Sequence, residues 1–409
     1  MSKPMGAIPA GFEAEDGMLL IGGRRADALV AEAGDTPLFV YDVAKVAAQV
    51  ANFRANFQSV NLHYAIKANT YAPLLKQVAK LVDGLDVASA GEMDAALACG
   101  TDASEISFAG PGKRDDELAA AIAAGVTLNL ESEGEAKRAL AIGRGQGRRP
   151  RLAVRVNPDF EIKGSGMRMG GGAKPFGIDA ARVPDVVRML TEGGAEWRGF
   201  HIFAGSQALA PDALIEAQRA TVALAGELAE AIGATPPLVN LGGGFGIPYF
   251  ATETSLDVAP IGVALAQTLA ERPAILRDSA FAIELGRWLV GEAGVYLTRV
   301  VDRKESHGKT FLVTDGGMHH QLAASGNFGQ VVRRNYPVAV ASRFGAAAEE
   351  EASVVGCLCT PLDRLADDVM LPRAEVGDLI AVFLAGAYGL SASPAAFLGH
   401  PPAREMVVG

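Results

Sequence analysis

Three features sit where short apolar runs come to an end. Lys67 closes the run HYAIKAN. An amine at the end of such a run sheds part of its hydration, which lowers its pKa and frees it to form a Schiff base with a carbonyl. On this motif alone, a lysine that snorkels to solvent is the simpler reading. Leu241 to Gly246, LGGGFG, offers backbone amides that close on a phosphate without side-chain interference, although a plain tight turn uses the same glycines. Glu284 ends FAIELG just before Gly286 and Arg287. A carboxylate beside a pyridine nitrogen keeps that nitrogen protonated, so the ring becomes an electron sink for a carbanion, which suits decarboxylation better than racemisation. A salt bridge to Arg287 is the other use for the same carboxylate.

These residues need elements to position them. From about residue 60 to 285, eight apolar runs alternate with alanine-rich stretches of helical period. The runs are Leu62 to Lys67, Leu85 to Ser89, Ile106 to Gly110, Thr127 to Glu131, Leu152 to Asn157, Gly199 to Phe203, Leu238 to Gly244 and Phe281 to Gly286. Eight strand–helix units predict an α/β fold with a closed TIM-type (β/α)8 barrel, whose chemistry lies at the carboxyl ends of the strands. Lys67, Ser89, Gly110, Asn157, Ser206, Gly242 to Gly244 and Glu284 all fall there. Beyond the eighth run, EAGVYLTRVVDRK, TFLVTDGG and GDLIAVFLAGAYG read as strands of a second, antiparallel β domain. The expected division is therefore an N-terminal segment, 1–41, whose TPLFVYD (Thr36 to Asp42) joins the β domain, then a barrel over 42–284 and the β domain over 285–409. Pro158 to Lys174 is glycine-rich without either period and reads as a mobile loop over the barrel mouth.

Composition narrows the partners. The chain has 409 residues and a formal charge of -10, with no compensating basic run, which argues against nucleic acid. Its apolar stretches are glycine-broken and shorter than the roughly 20 residues a membrane helix needs. With no secretory signal pattern, the cytoplasm is expected. Three cysteines are too few for a disulfide framework, and no cluster has metal-ligand spacing.

Taken in order, HYAIKAN, LDVASAGE, FAGPGK, LNLES, LAVRVNP, GSQ, LGGGFG, ELGR, DGGM, CLCTPLD and GAYG resemble the pyridoxal-phosphate-dependent diaminopimelate and ornithine decarboxylase family of alanine-racemase-like barrels. The resemblance implies a homodimer with shared active sites and pyridoxal 5'-phosphate held by Lys67 as a Schiff base. It implies a phosphate held by Gly242, Gly243 and Gly244 with Ser206 and Tyr388. Glu284 would face the ring nitrogen, while Asp86 and Glu92 support lysine and ring. Gly286 and Arg287 complete the cofactor side, Arg287 also facing a substrate carboxylate. Cys359, from the partner subunit, matches the acid that returns a proton after carbon dioxide leaves, and Asp363 closes its motif, opposite a loop lysine such as Lys174. An amino-acid racemase on the same fold would instead set an arginine against the ring nitrogen.

Several departures bear on substrate. Thr360 stands where the family carries a glutamate or aspartate that reads a distal amine, and threonine lacks that charge. Phe203 replaces a ring-stacking histidine, with His201 two residues earlier. Leu285 stands where proline is common in ELGR, and Pro175 is extra. His319 to Pro337 is similar to decarboxylases of exopolysaccharide and secondary-metabolite pathways, one of which acts on a glutamyl group tethered to an acyl carrier protein. The substrate is thus expected to be a free amino acid or an aminoacyl carrier protein. Arg333 and Arg334 with Tyr336 are the candidate basic patch for an acidic carrier, or else an ordinary solvated face. Thr360, Asp363, Arg287 and Tyr388 are the expected substrate contacts.

Overall fold

The computed structural model describes residues 2–160, 167–168, 171–326 and 333–409. Much of the expected mobile loop, Pro158 to Lys174, lies outside the described residues, as does part of the stretch from His319 to Pro337. Packing divides the chain into two units: Gln49–Gly246 with Ser255–Gly286, and Met1–Ala48 with Ile247–Thr254 and Arg287–Gly409.

The first unit is the barrel. Its strands are β1 (Asn61–Ala65), β2 (Gly84–Val87), β3 (Ile106–Phe108), β4 (Thr127–Leu130), β5 (Arg151–Asn157), β6 (Glu196–Ile202), β7 (Leu238–Asn240) and β8 (Ala280–Leu285). Each pairs in parallel with the next, and β8 pairs with β1, which closes the ring. The helices between them start and stop as their sequences dictate. Ala90–Ala98 is capped by the Ser89 hydroxyl, which accepts from the Glu92 amide, and Asp115–Ala124 opens on three acids and ends at Gly125 in the left-handed region.

Polar side chains tie the strands together inside this wall. Asp86 of β2 accepts from the Ser107 hydroxyl of β3, and Asn129 of β4 donates to Ser107 at 3.1 Å. Arg155 of β5 donates to Glu131, just past β4, at 2.8 Å. His201 of β6 and Asn240 of β7 both bond Glu284 of β8. All of these groups except the half-buried Ser107 are buried, so the bonds replace lost hydration and also set the relative heights of the strand ends.

The second unit is a sheet domain, and it corrects the antiparallel expectation. Gly294–Ser306 pairs antiparallel with Leu38–Asp42, Lys309–Thr314 and Leu379–Val382. Two pairings are parallel, however: Lys309–Thr314 with Glu350–Val355, and Leu38–Asp42 with Arg404–Val408. A parallel pair needs a long connection rather than a hairpin, and the chain between these strands supplies one in each case. Among the described residues no helix is long and apolar enough to cross a membrane.

Candidate active site

Lys67 lies just beyond β1, in a single 3-10 turn over Ile66–Ala68. Strand geometry stops at Ala65, so the lysine rides above the wall and is exposed, where the sequence predicts partial desolvation. Its ammonium stands 5.9 Å from the centroid of the half-buried Phe203 ring. Gly286 permits this turn to pack closely, since a Cβ there would come within 2.9 Å of the Ala68 methyl.

Glu284 is buried, and its main side-chain partner is His201, with Nε2 3.0 Å from Oε2. The Asn240 amide donates to the same oxygen at 3.3 Å, and no described residue bonds Oε1. Burial alone would push this carboxyl up, but His201, with the charges of Lys67 and Arg155, holds it well below the usual carboxylate range. The group is thus an anion with one oxygen unspent. Asn240 does more, because its Oδ1 accepts the Gly242 amide at 2.8 Å and so joins Glu284 to the glycine turn.

That bond revises the role of Gly242, whose amide is not available to a phosphate. The amides of Gly243 and Gly244 have no partner among the described residues. A Cβ on Gly243 would lie 1.8 Å from the Glu284 carbonyl oxygen, so no larger residue fits. Ser206 belongs to the short strand Gly205–Ser206, and the residues that follow it lie against this turn: the Ala208 amide donates to Gly244 and its carbonyl accepts from Gly246, both at 2.9 Å. Asp86 is a partial correction. It faces Ser107 and His63 and makes no bond to Lys67 among the described residues. Glu92 caps its helix by accepting the Ala88 amide at 2.7 Å; burial raises its pKa, and the Lys67 charge opposes this. A groove of about 600 Å³ opens elsewhere, beside Asn61 and Ala280 at the starts of β1 and β8, and holds none of these residues.

The remaining predicted residues belong to the second unit. Arg287 donates to the Tyr249 hydroxyl at 3.1 Å and lies 4.8 Å from the Tyr388 ring, with Nε unpartnered among the described residues. Tyr388 holds a positive φ of 53°, a strained backbone for tyrosine. Cys359 is exposed on the turn after Glu350–Val355. The Thr360 hydroxyl accepts the Leu362 amide at 3.4 Å within that turn. Asp363 departs from expectation, because it is buried and both oxygens are taken, by the Met318 amide at 2.6 Å and the Leu358 amide at 2.8 Å. It braces the turn through these two main-chain amides. The basic patch fails likewise. Arg333 donates to the Ser325 and Arg364 carbonyls, Arg334 pairs with Glu253 and stacks on Phe250, and Tyr336 is buried.

Sequence reasoning missed Asn240, Arg155 and the pairing of His201 with Glu284. Only Asn240 carried a signal, its spacing two residues before Gly242 being that of an Asx turn.

The barrel end fits pyridoxal phosphate by its own chemistry. It offers an amine, an aromatic face near it, a buried carboxylate held ionised, and two consecutive free amides in a turn that admits only glycine. Comparison with known proteins agrees. Residues 43–291 match the family model described as pyridoxal-dependent decarboxylase, pyridoxal binding domain. The L-glutamyl-[BtrI acyl-carrier protein] decarboxylase of Niallia circulans is 37% identical over 382 residues, covering 91% of this chain and 89% of that one. A diaminopimelate decarboxylase of Methanothermobacter thermautotrophicus is 32% identical over 406 residues, with 96% and 91% covered. The crystal structure of diaminopimelate decarboxylase from Helicobacter pylori complexed with L-lysine superposes with a TM-score of 0.82 at 26% identity, covering 94% of each chain. Racemase chemistry is not favoured, because these relatives are carboxy-lyases and a glutamate rather than an arginine ends β8. The chain belongs to the pyridoxal-phosphate-dependent diaminopimelate and ornithine decarboxylase family, and it removes the α-carboxylate of an amino-acid substrate.

Proposed function

We propose that the substrate is an amino-acyl group carried on an acyl carrier protein, decarboxylated by a cytoplasmic homodimer. Thr360 carries this reading. Its hydroxyl is turned into its own loop and brings no charge, so a free diamino acid would leave its distal ammonium without the ion pair that such a group demands. Similarity to a glutamyl carrier-protein decarboxylase supports the same reading. The second reading, a free diamino acid, is favoured by the diaminopimelate decarboxylases among the relatives. Because the Arg333–Arg334 pair is engaged within the chain, carrier docking is not assigned to it.

Pyridoxal phosphate, when bound, supplies the sink for the electron pair released as the bond from Cα to the carboxylate breaks. The protein's residues orient and protect that event. Lys67 Nζ would provide the amine that holds the group. Glu284, kept ionised by His201, would hold the proton on the ring nitrogen. Phe203 would offer a flat apolar face, and the amides of Gly243 and Gly244 with the Ser206 hydroxyl would receive the phosphate. Arg287, with an unspent donor, receives an anionic group. Cys359 of the partner subunit delivers the proton to Cα.

The test is carbon dioxide release from free glutamate, diaminopimelate and ornithine beside glutamate loaded on a carrier protein through its side-chain carboxyl. Turnover of the loaded carrier at least tenfold above any free amino acid, about 1.4 kcal/mol in discrimination, is expected. Efficient release from free diaminopimelate would overturn the carrier assignment.

A further inference from the structure

His319 and Gln321 have no place in the roles assigned so far, yet both are fully buried. Among the described residues, neither ring nitrogen of His319 and neither polar atom of the Gln321 carboxamide has a hydrogen-bond partner. The neighbouring His320 is different: its Nδ1 meets the Tyr296 hydroxyl at 3.1 Å and its Nε2 the Pro401 carbonyl at 3.0 Å. Unpartnered polar atoms weaken a core, and chains retain them chiefly where a ligand or solvent completes them.

The segment also lies between the two turns that carry Cys359 and Tyr388. At one end, the Met318 amide shares the Asp363 carboxylate with the Leu358 amide, which precedes Cys359. At the other, Gln321 Oε1 lies 3.1 Å from where a Cβ on Gly389 would stand, next to Tyr388. The His319 ring packs 3.7 Å from His320 and 5.3 Å from the half-buried His400, which approaches Cys357 Sγ at 3.8 Å. The nearby carboxylates are spent. Asp363 serves its two amides, and Asp315 accepts from the Thr298 hydroxyl at 2.6 Å and the Arg299 amide at 2.9 Å. Burial and the two neighbouring imidazoles hold His319 down, to about 4, so at neutral pH it offers one donor and one acceptor.

We propose that His319 and Gln321 bind the distal end of the substrate through an uncharged polar group, a carbonyl with an amide N–H, in place of the ammonium that an acid at position 360 would read. This deepens the carrier-tethered reading and rests on it for the identity of the substrate. A thioester carbonyl followed by the amides of a carrier arm has this chemistry, whereas a free diamino acid does not.

The experiment compares wild type with His319→Phe and Gln321→Leu on three substrates: carrier-loaded glutamate, a short glutamyl thioester of N-acetylcysteamine, and diaminopimelate. Each variant is expected to lose about 10- to 100-fold in kcat/KM on both thioesters, mainly through KM, while its Tm holds or rises because an unpartnered polar group has become apolar. An unchanged kcat/KM, or a loss that follows a fall in Tm, overturns the inference by leaving the side chains a packing role only. Gln321→Glu provides a second arm: it is expected to raise the preference for diaminopimelate over the thioesters, and an unmoved preference counts against the proposal. Equal wild-type turnover of the short and carrier-loaded thioesters would defeat the carrier reading while leaving His319 and Gln321 in place. A wild-type preference for diaminopimelate would defeat both.

Discussion

Replacing His201 by phenylalanine removes the main partner of the buried Glu284 carboxylate and keeps a ring of similar size. In the wild type, burial pushes the Glu284 carboxyl up, but His201, followed by Lys67 and Arg155, outweighs it and brings the pKa from 4.5 to about 2. At about 1.4 kcal/mol per unit this is on the order of 3 kcal/mol of stability, with His201 the foremost of the groups that lower the pKa. For a unit the size of this barrel, the loss lowers Tm by about 4–12 °C at pH 7. The sign with pH follows from the depressed carboxylate. Its contribution is complete above the unfolded pKa near 4.5 and is given up as pH falls toward about 2, so the gap between wild type and variant narrows by about 1.4 kcal/mol per pH unit below 4.5. Differential scanning fluorimetry on the holoenzyme from pH 7.5 to 3.5 reads both effects. Equal Tm values at pH 7, or a gap that stays constant down to pH 3.5, would refute the pairing as the source of the Glu284 charge.

Lys67→Ala is expected to abolish both turnover and the absorbance near the visible edge that the wild type gains with pyridoxal phosphate; colour that survives dialysis of the variant would count against Lys67. Mixing inactive Lys67→Ala with inactive Cys359→Ala subunits should restore roughly a quarter of wild-type activity, since half the dimers are hybrids with one intact site each. Failure to recover activity after verified subunit exchange would show that the two residues serve one subunit. Asp363→Ala leaves the Met318 and Leu358 amides buried without an acceptor, a loss of about 2–5 kcal/mol that thermal unfolding will register; an unshifted Tm would contradict the bracing role.

The barrel was legible because each of its eight strands is a short apolar run ending in a polar or small residue, and the wall enforces that pattern all round. Lys67 and Glu284 stood out because a charge closing an apolar run is conspicuous. The partners of Glu284 did not, since His201 and Asn240 come from other strands and meet it only once the ring closes. Asp363 was misread for the opposite reason. Its place in a motif suggested an outward role, while its two amide donors, Met318 and Leu358, come from separate segments that no local pattern connects. The parallel pairing of Leu38–Asp42 with Arg404–Val408 was hidden too, because it joins the two ends of the chain.

The clamp formed by Asp363 has an evolutionary corollary. By fastening the backbone on both sides of Cys359 and Thr360 through main-chain groups alone, it leaves the Thr360 side chain under no scaffolding duty beyond a weak 3.4 Å contact. That one side chain can then be exchanged, acid for alcohol, while the exposed Cys359 thiol beside it keeps its station.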